Sequence, residues 1–307
     1  MIDSKPLVSI GMPVYNGELY IRQALDSLLA QDYENFELII SDNASTDKTQ
    51  EICLEYVARD KRIRYYRNQT NMGAAWNANR VFELSSGEYF MWAAHDDFWK
   101  PRYLSSCLEA FNISEAIVLA GTECKGIAPE TGELILIDKG LSTVGLSPVK
   151  RFVRYKSTLH GGRHIGGIFY GVHKRSVLRE VMPAKKVMAS DHLLMAGLCF
   201  QGEFVTVKER LMIKRMGGAS ASLESIARAH GISNQVLIKG TYLTREFMLQ
   251  RIIFQTDKLK LPEKIWLVCW SLIHTAVVVF IRLLNLGYQA LSTFIKRKVI
   301  HRSQTAA

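Results

Sequence analysis

The sequence predicts an α/β fold built on a mostly parallel sheet, with a helical appendage at the C-terminal end. Three observations lead there. Short apolar, β-rich runs alternate with helical spacings three times in the first hundred residues, a pattern that implies parallel strands joined by right-handed crossovers. Each run ends in a polar loop, and these loops fall on one sheet edge, where open α/β sheets bind ligands. Beyond Gly217-Gly218 the pattern is helical almost to the end.

Taken in order, Leu7 to Met12 is the first strand, stopped by Pro13, and Pro13-Val14-Tyr15-Asn16-Gly17 is the loop after it. Ile21, Leu25, Leu28 and Leu29 have helical spacing within Leu19 to Leu29. Phe36 to Ile40 is the second strand, and Ser41 to Asp47 is a loop running into a helix cap. Lys48 to Ala58 is helical with Ile52, Cys53 and Tyr56 inward, Ile63 to Tyr66 is a third strand, and Gly73 to Leu84 a third helix. Tyr89 to Ala94 reads as a buried strand that ends abruptly in His95-Asp96-Asp97. The second half is less regular. Pro101 starts a helix to about Phe111, and Ala116 to Ala120 and Leu134 to Ile137 read as strands. A flexible loop, Gly161 to Gly167, precedes a strand from Ile168 to Val172; Asp191 opens a helix to Phe200. Phe204 to Val207 and Leu211 to Lys214 look like a pair of strands.

At 307 residues the chain can bury one full core with an appendage. Its net charge of +10 is unevenly placed: residues 1–207 carry 23 Lys+Arg against 24 Asp+Glu, and residues 208–307 carry 16 against 5. Such a basic region suits nucleic acid or an anionic membrane, and its strong apolarity selects the membrane over nucleic acid. The five cysteines, Cys53, Cys107, Cys124, Cys199 and Cys269, contain no C-x-x-C spacing. That indicates neither a zinc site nor a disulfide framework and points to buried, reduced thiols in a cytosolic compartment. The N-terminus is polar for six residues and enters a strand directly, unlike a signal peptide. The loop after the first strand is not Gly-x-Gly-x-x-Gly and no Walker lysine motif occurs, so dehydrogenase and P-loop readings are poor.

Asp96 and Asp97 are hard oxygen ligands at a strand end. They suit Mg²⁺ or Mn²⁺, which take one or two carboxylates and complete their shell with water and substrate phosphate; the bland alternative is an Asp-Asp turn. Tyr15 offers a flat face for a nucleobase, or equally covers the core. Asp42, directly after a strand, can accept a hydrogen bond from the ring N–H of uracil or thymine; the competing role is helix capping, which is the reading for Thr46 and Asp47. Asn71 and Gly73 either meet a ligand or cap the third helix.

Pro13-Val14-Tyr15-Asn16, Ser41-Asp42-Asn43-Ala44-Ser45-Thr46-Asp47, Asn71-Met72-Gly73 and His95-Asp96-Asp97 occur in that order. Together they resemble the nucleotide-sugar domain of family two glycosyltransferases, with the Rossmann-like A-type fold, over roughly the first two-thirds of the chain. The resemblance implies that Pro13, Tyr15, Asp42, Asn71 and Asp96 bind the donor, Asp96 contacting ribose, and that Asp97 holds the metal on the diphosphate. His95 stands where the family often has Asp. Ser190-Asp191 occupies the place of a Glu-Asp pair at a helix start, which points to Asp191 as general base, with Glu180 as the other carboxylate in reach; the structural alternative is a carboxylate facing a helix dipole. His164 and Gly166-Gly167 resemble the loop near the acceptor site, and Lys214, Arg215 and Gly217-Gly218 are placed to close over the diphosphate. The Gln-x-x-Arg-Trp motif of processive polymerising members is absent. The implied activity is inverting transfer of one sugar, from a UDP- or dTDP-linked donor, to a hydroxyl acceptor such as a lipid-linked glycan in surface polysaccharide synthesis. A non-catalytic nucleotide-sugar-binding subunit is the rival.

The resulting division is a catalytic domain over 1–220 and a basic, apolar helical region over 221–307. Ile265 to Ile281 is uncharged, and Leu283 to Ile295 ends in Lys296-Arg297-Lys298. A spanning helix needs about 20 apolar residues. An in-plane anchor on the cytoplasmic face of the plasma membrane fits this pattern best, ahead of a short tilted span and a soluble helical lid.

Overall fold

The computed structural model describes residues 5–160, 166–182, 190–217 and 235–280. Its first half is the expected alternation: β1 (Val8–Val14), α1 (Ile21–Leu29), β2 (Phe36–Asp42), α2 (Thr49–Arg59), β3 (Ile63–Arg67), α3 (Ala74–Glu83) and β4 (Tyr89–Trp92). β1 pairs in parallel with β2 and β4, and β2 with β3. Each helix buries the face that its apolar period selects: Ile21, Ala24, Leu25 and Leu28 in α1, and Ile52, Cys53 and Tyr56 in α2.

Pro13 lies inside β1 instead of ending it. Opposite Ser41 it has only β2 alongside, because β4 pairs no further than Gly11 with Trp92. On that vacated side a missing N–H costs no ladder bond.

The second half adds β5 (Phe98–Trp99), α4 (Tyr103–Ala110), β6 (Ile117–Ile127), β7 (Leu134–Asp138), α5 (Pro148–His160), α6 (Gly166–Phe169), β8 (Val172–Lys174), α7 (Arg175–Val181), α8 (Ser190–Gln201) and β9 (Glu203–Arg215). The strand order is β3-β2-β1-β4-β8-β6-β9-β5, with β7 beside β6. β8 runs antiparallel to both β4 and β6, while β6 and β9 are parallel. Two expectations are corrected. Ile168 lies on the short helix α6 and the strand begins at Val172. Phe204–Val207 and Leu211–Lys214 are one strand, interrupted in pattern because the register with β6 jumps from Val207 to Arg210, a bulge that lifts Lys208 and Glu209 out of the ladder. The helix α5 is hidden in the sequence by two buried cations. Arg151 donates to the carbonyls of Cys199 and Phe200 at the end of α8, where a cation also faces the negative helix terminus. Lys156 Nζ meets both carboxylate oxygens of Glu246 at 2.6 and 2.9 Å.

Two compact units result, one through Lys258 and one from Leu259. The helix Gln235–Gln255 carries Glu246 and lies within the first unit. In the second unit, Leu261–Phe280 is one helix, long and apolar enough by composition to cross a membrane and 11% buried over its most apolar window. The stretch Leu283 to Ile295 lies outside the described residues. Four cysteines are buried and Cys269 is exposed; burial raises the thiols of Cys53, Cys107 and Cys124 to about 12, which makes them unreactive.

Candidate active site

The polar loops converge at the carboxyl ends of the parallel strands. Val14, Asp42 and Arg67 are aligned across β1, β2 and β3. The first two loops are clasped together: Asn16 N–H donates to Ser45 Oγ, Thr46 N–H to Asn16 Oδ1, and Asn43 N–H to the Val14 carbonyl. Within this clasp Asn16 and Ala44 adopt φ of 52° and 64°, a region that non-glycine residues occupy at a cost. Asp47 caps α2 as expected, accepting from Thr49 N–H and Oγ1, whereas Thr46 bonds across to Asn16 instead.

Asp42 is engaged by the protein itself. Its Oδ2 accepts from Tyr65 Oη at 2.6 Å and Arg67 Nη1 at 2.5 Å, its Oδ1 from Ser45 N–H at 2.8 Å, and the residue is 0% exposed. One Oδ1 lone pair remains. Asn71 is exposed, accepts from Gly73 N–H in the turn ahead of α3, and accepts from Asn43 Nδ2 at 2.7 Å. Asn43 in turn accepts from Met72 N–H and Asn68 Nδ2. Asparagine side chains thus join the third loop to the first two. Tyr15 is 44% exposed beside partly buried Pro13, an open aromatic face and not a core cover.

The Asp96-Asp97 loop meets the end of β9. Asp97 Oδ1 accepts from Arg215 N–H at 2.9 Å, and Arg215 Nη1 donates to the Asp96 carbonyl at 2.5 Å. The Arg215 guanidinium also bonds Gln23 and lies over the rings of Tyr20 and Phe98, so it is a brace and not a free phosphate ligand. Asp97 is 1% exposed, and among the described residues its Oδ2 has no hydrogen-bond partner. Burial, reinforced by the charge of Asp96, pushes its carboxyl up to about 7 against the pull of Lys214 and Arg215. A buried, unpartnered carboxylate oxygen is costly, and a divalent cation is the group that would satisfy it. Among the described residues no cluster of three His, Cys, Asp or Glu side chains stands ready for a metal.

His95 serves packing. A Cβ on Gly17 would come within 2.8 Å of the His95 ring, so the imidazole pins the loop after β1 against the carboxylate pair. Burial lowers its pKa, although Asp96 and Asp47 pull the other way.

Two residues extend the site toward the acceptor half. Lys214 Nζ lies 5.0 Å from the Tyr170 ring centroid. Its pKa is raised: burial opposes the charge, but the pull of Tyr170, Asp97, Cys124 and Asp96 outweighs it. Tyr170 is held at about 12, chiefly by burial, with Lys214 lowering it and Asp97, Asp96 and Asp191 raising it. This phenol therefore feels the charges of Asp96 and Asp97 and of Asp191, which stands in the first turn of α8. Glu180 exerts no such influence and lines instead a cavity of about 630 Å³ with Ser190, Leu193, Gly197 and Arg251. Tyr170 carries no sequence signal, since one aromatic between a glycine-rich loop and a strand reads as core. His164 lies outside the described residues, as does Gly218.

Comparison with known proteins agrees with this geometry. The family model described as Glycosyl transferase family 2 matches residues 9–178. An uncharacterized glycosyltransferase of Rickettsia typhi is 40% identical over 121 residues, 38% of this chain and 37% of that protein. The putative teichuronic acid biosynthesis glycosyltransferase TuaG of Bacillus subtilis is 38% identical over 109 residues, 36% of this chain and 43% of TuaG. The match therefore spans well under half of each of these relatives. Among solved structures, S. aureus TarS 1-349 in complex with UDP-GlcNAc superposes with a TM-score of 0.63 at 17% identity, covering 86% of this chain and 71% of that one. The mannosyltransferase PcManGT of Pyrobaculum calidifontis, in complex with GDP-Man and Mn2+, gives 0.52 at 14% identity over 88% and 81%. At these identities the structures speak for the A-type fold alone. The family model covers more than half of the sequence, and with it the loops that converge on Asp97: this chain belongs to glycosyl transferase family 2.

Proposed function

We propose that this chain transfers one sugar from a UDP- or dTDP-linked donor to a hydroxyl acceptor, with inversion in a single displacement. The observation that carries the reading is the buried Asp97 carboxylate, one oxygen of which has no partner among the described residues, beside the Lys214–Tyr170 pair. Tyr15 stacks on the base, beside Pro13 and the Asn71 loop. Asp42 shapes that pocket from behind through Arg67 and Ser45, and its last lone pair is what it has left for a ring N–H. Asp96 contacts ribose. Asp97, with Asp96, would hold Mg²⁺ or Mn²⁺, whose chemistry there is to neutralise the departing diphosphate. The Lys214 ammonium adds a fixed positive charge to the same end. Asp191 takes the proton of the attacking hydroxyl at a carboxylate oxygen, and Tyr170, neutral at working pH, walls off water between the two halves. The name of TuaG supports a place in the biosynthesis of a surface polymer.

A thermal-shift panel tests the donor. At about 100-fold over Kd a ligand adds ~2.7 kcal/mol, or about 3–6 °C for a chain of this size. UDP- or dTDP-sugars should give that shift with Mn²⁺ present and a smaller one without it. A response to GDP-sugars alone would overturn the base assignment, and no response to any nucleotide sugar would overturn the activity.

The second unit extends the proposal to place. Ile265, Trp266, Ile273, Val277 and Phe280 are exposed on the helix Leu261–Phe280, and the excess charge of residues 208–307 is all positive. This supports peripheral attachment to the inner face of the plasma membrane, each basic residue near an anionic surface adding about 1 kcal/mol. Membranes carrying the protein should release it into high salt or alkaline carbonate. Retention until detergent is added would make the helix a span, and a soluble protein with no affinity for anionic vesicles would remove the membrane altogether.

A further inference from the structure

The helix Gln235–Gln255 lies in the first unit, and its second half has two opposed faces. Glu246, Leu249 and Ile253 are buried. On that side Glu246 holds Lys156 of α5, and Arg245 Nη1 lies 3.4 Å from His192 Nδ1 of α8. The outward face is set by Phe247, Arg251 and Phe254, whose i, i+4, i+7 spacing puts them on one arc. Phe247 is 73% and Phe254 49% exposed. Arg251, between them, is exposed as well, and no described carboxylate forms an ion pair with it. Asp257, just past the end of the helix, is paired with Lys258 at 3.7 Å.

One exposed phenylalanine is ordinary protein surface. Two on one arc, on either side of an arginine, are the pattern of a helix that lies in the interface of an anionic bilayer. We propose that this face is a lipid-contact surface of the catalytic unit itself, distinct from the helix Leu261–Phe280, with both rings at the acyl boundary and Arg251 among anionic headgroups. The proposal rests on the membrane attachment above and adds a second point of contact to it. Charge complementarity selects an anionic surface as the occupant: the outward arc presents no carboxylate, and residues 208–307 carry the whole positive excess of the chain. A single anchor leaves the catalytic unit free to turn against the membrane. A second one, joined to α5 and α8 by the opposite face of its own helix, fixes which side meets the lipid. α8, which carries Asp191, then stands one helix-to-helix spacing, about 8–10 Å, behind that surface, on the side from which a lipid-linked acceptor would come.

Site-directed labelling of the full chain tests the proposal. Cys269→Ser removes the exposed thiol, the other four being buried. Phe247→Cys or Phe254→Cys then carries an environment-sensitive fluorophore, with Glu51→Cys on the exposed side of α2 as the control. On vesicles of phosphatidylglycerol and phosphatidylcholine in equal parts, the labels at 247 and 254 should shift to the blue and be quenched by nitroxide-bearing lipid, and the label at 51 should do neither. In the unlabelled chain Phe247→Ser and Phe254→Ser should each weaken vesicle binding about tenfold, and Arg251→Gln about fivefold, with a smaller effect at high salt. Labels at 247 and 254 that stay in water while the protein sediments with the vesicles would overturn the proposal and leave attachment to the second unit alone. A protein that binds no vesicles would overturn both. Labels already shielded before lipid is added would assign the face to a protein contact, such as a second copy, and equally overturn the proposal.

Discussion

Asp97→Asn should lower turnover by about 10²–10³ or more, the scale seen when one electrostatic contact to a departing charge is removed, and should weaken Mn²⁺-dependent UDP binding. The same substitution should change stability in the opposite sense. In the folded protein the Asp97 carboxyl is pushed up to about 7, first by burial and then by Asp96, while in the unfolded chain it titrates near ~3.9. Between those values the folded state keeps a proton that the unfolded state has released, so stability falls as pH rises from about 4 to 7 and the loss is complete above that. Asparagine does not titrate. The melting temperature of the variant should therefore gain on the metal-free wild type across this window, by an amount corresponding to about 1–3 kcal/mol. Added Mn²⁺ should close the gap by stabilising the wild type alone. Calorimetry at pH 5 and pH 8, with and without metal, reads all of this. Metal-dependent binding that survives the substitution would remove Asp97 from the site, and a pH-independent difference would mean that its buried oxygen is already satisfied.

Asp191→Asn should separate chemistry from binding. Transfer should fall by about 10²–10⁴, the usual share of a general base, while nucleotide affinity stays near that of the wild type, because the donor loops lie on other elements. Measured as UDP release with an acceptor panel beside UDP titration, a loss of less than about tenfold would dismiss Asp191. Glu180, which lines a cavity with Ser190 and Leu193 of α8, is then the next carboxylate to substitute. Loss of nucleotide binding together with transfer would instead make Asp191 a donor ligand.

The alternation from Val8 to Trp92 can be read from the chain because each helix there carries its own apolar period and each strand its own run of buried residues. The loops bearing Tyr15, Asp42, Asn71 and Asp96-Asp97 follow those strands directly, so parallel topology alone is enough to bring them to one edge. What the sequence cannot supply are the partners. Arg151 and Lys156 read as solvated charges until the carbonyls of Cys199 and Phe200 and the carboxylate of Glu246 meet them, and α5 stays hidden for that reason. Asp42 reads as a ligand because Tyr65 and Arg67 are more than twenty residues away in sequence. Pro13 reads as a strand end because the early stop of β4 beside it is a property of the sheet. The Asp97 oxygen left unpartnered among the described residues lies where the end of β9 meets the loop after β4. Local periodicity determines which elements form and where they end; hydrogen bonding, burial and charge across a hundred residues or more decide which side chains remain free for chemistry.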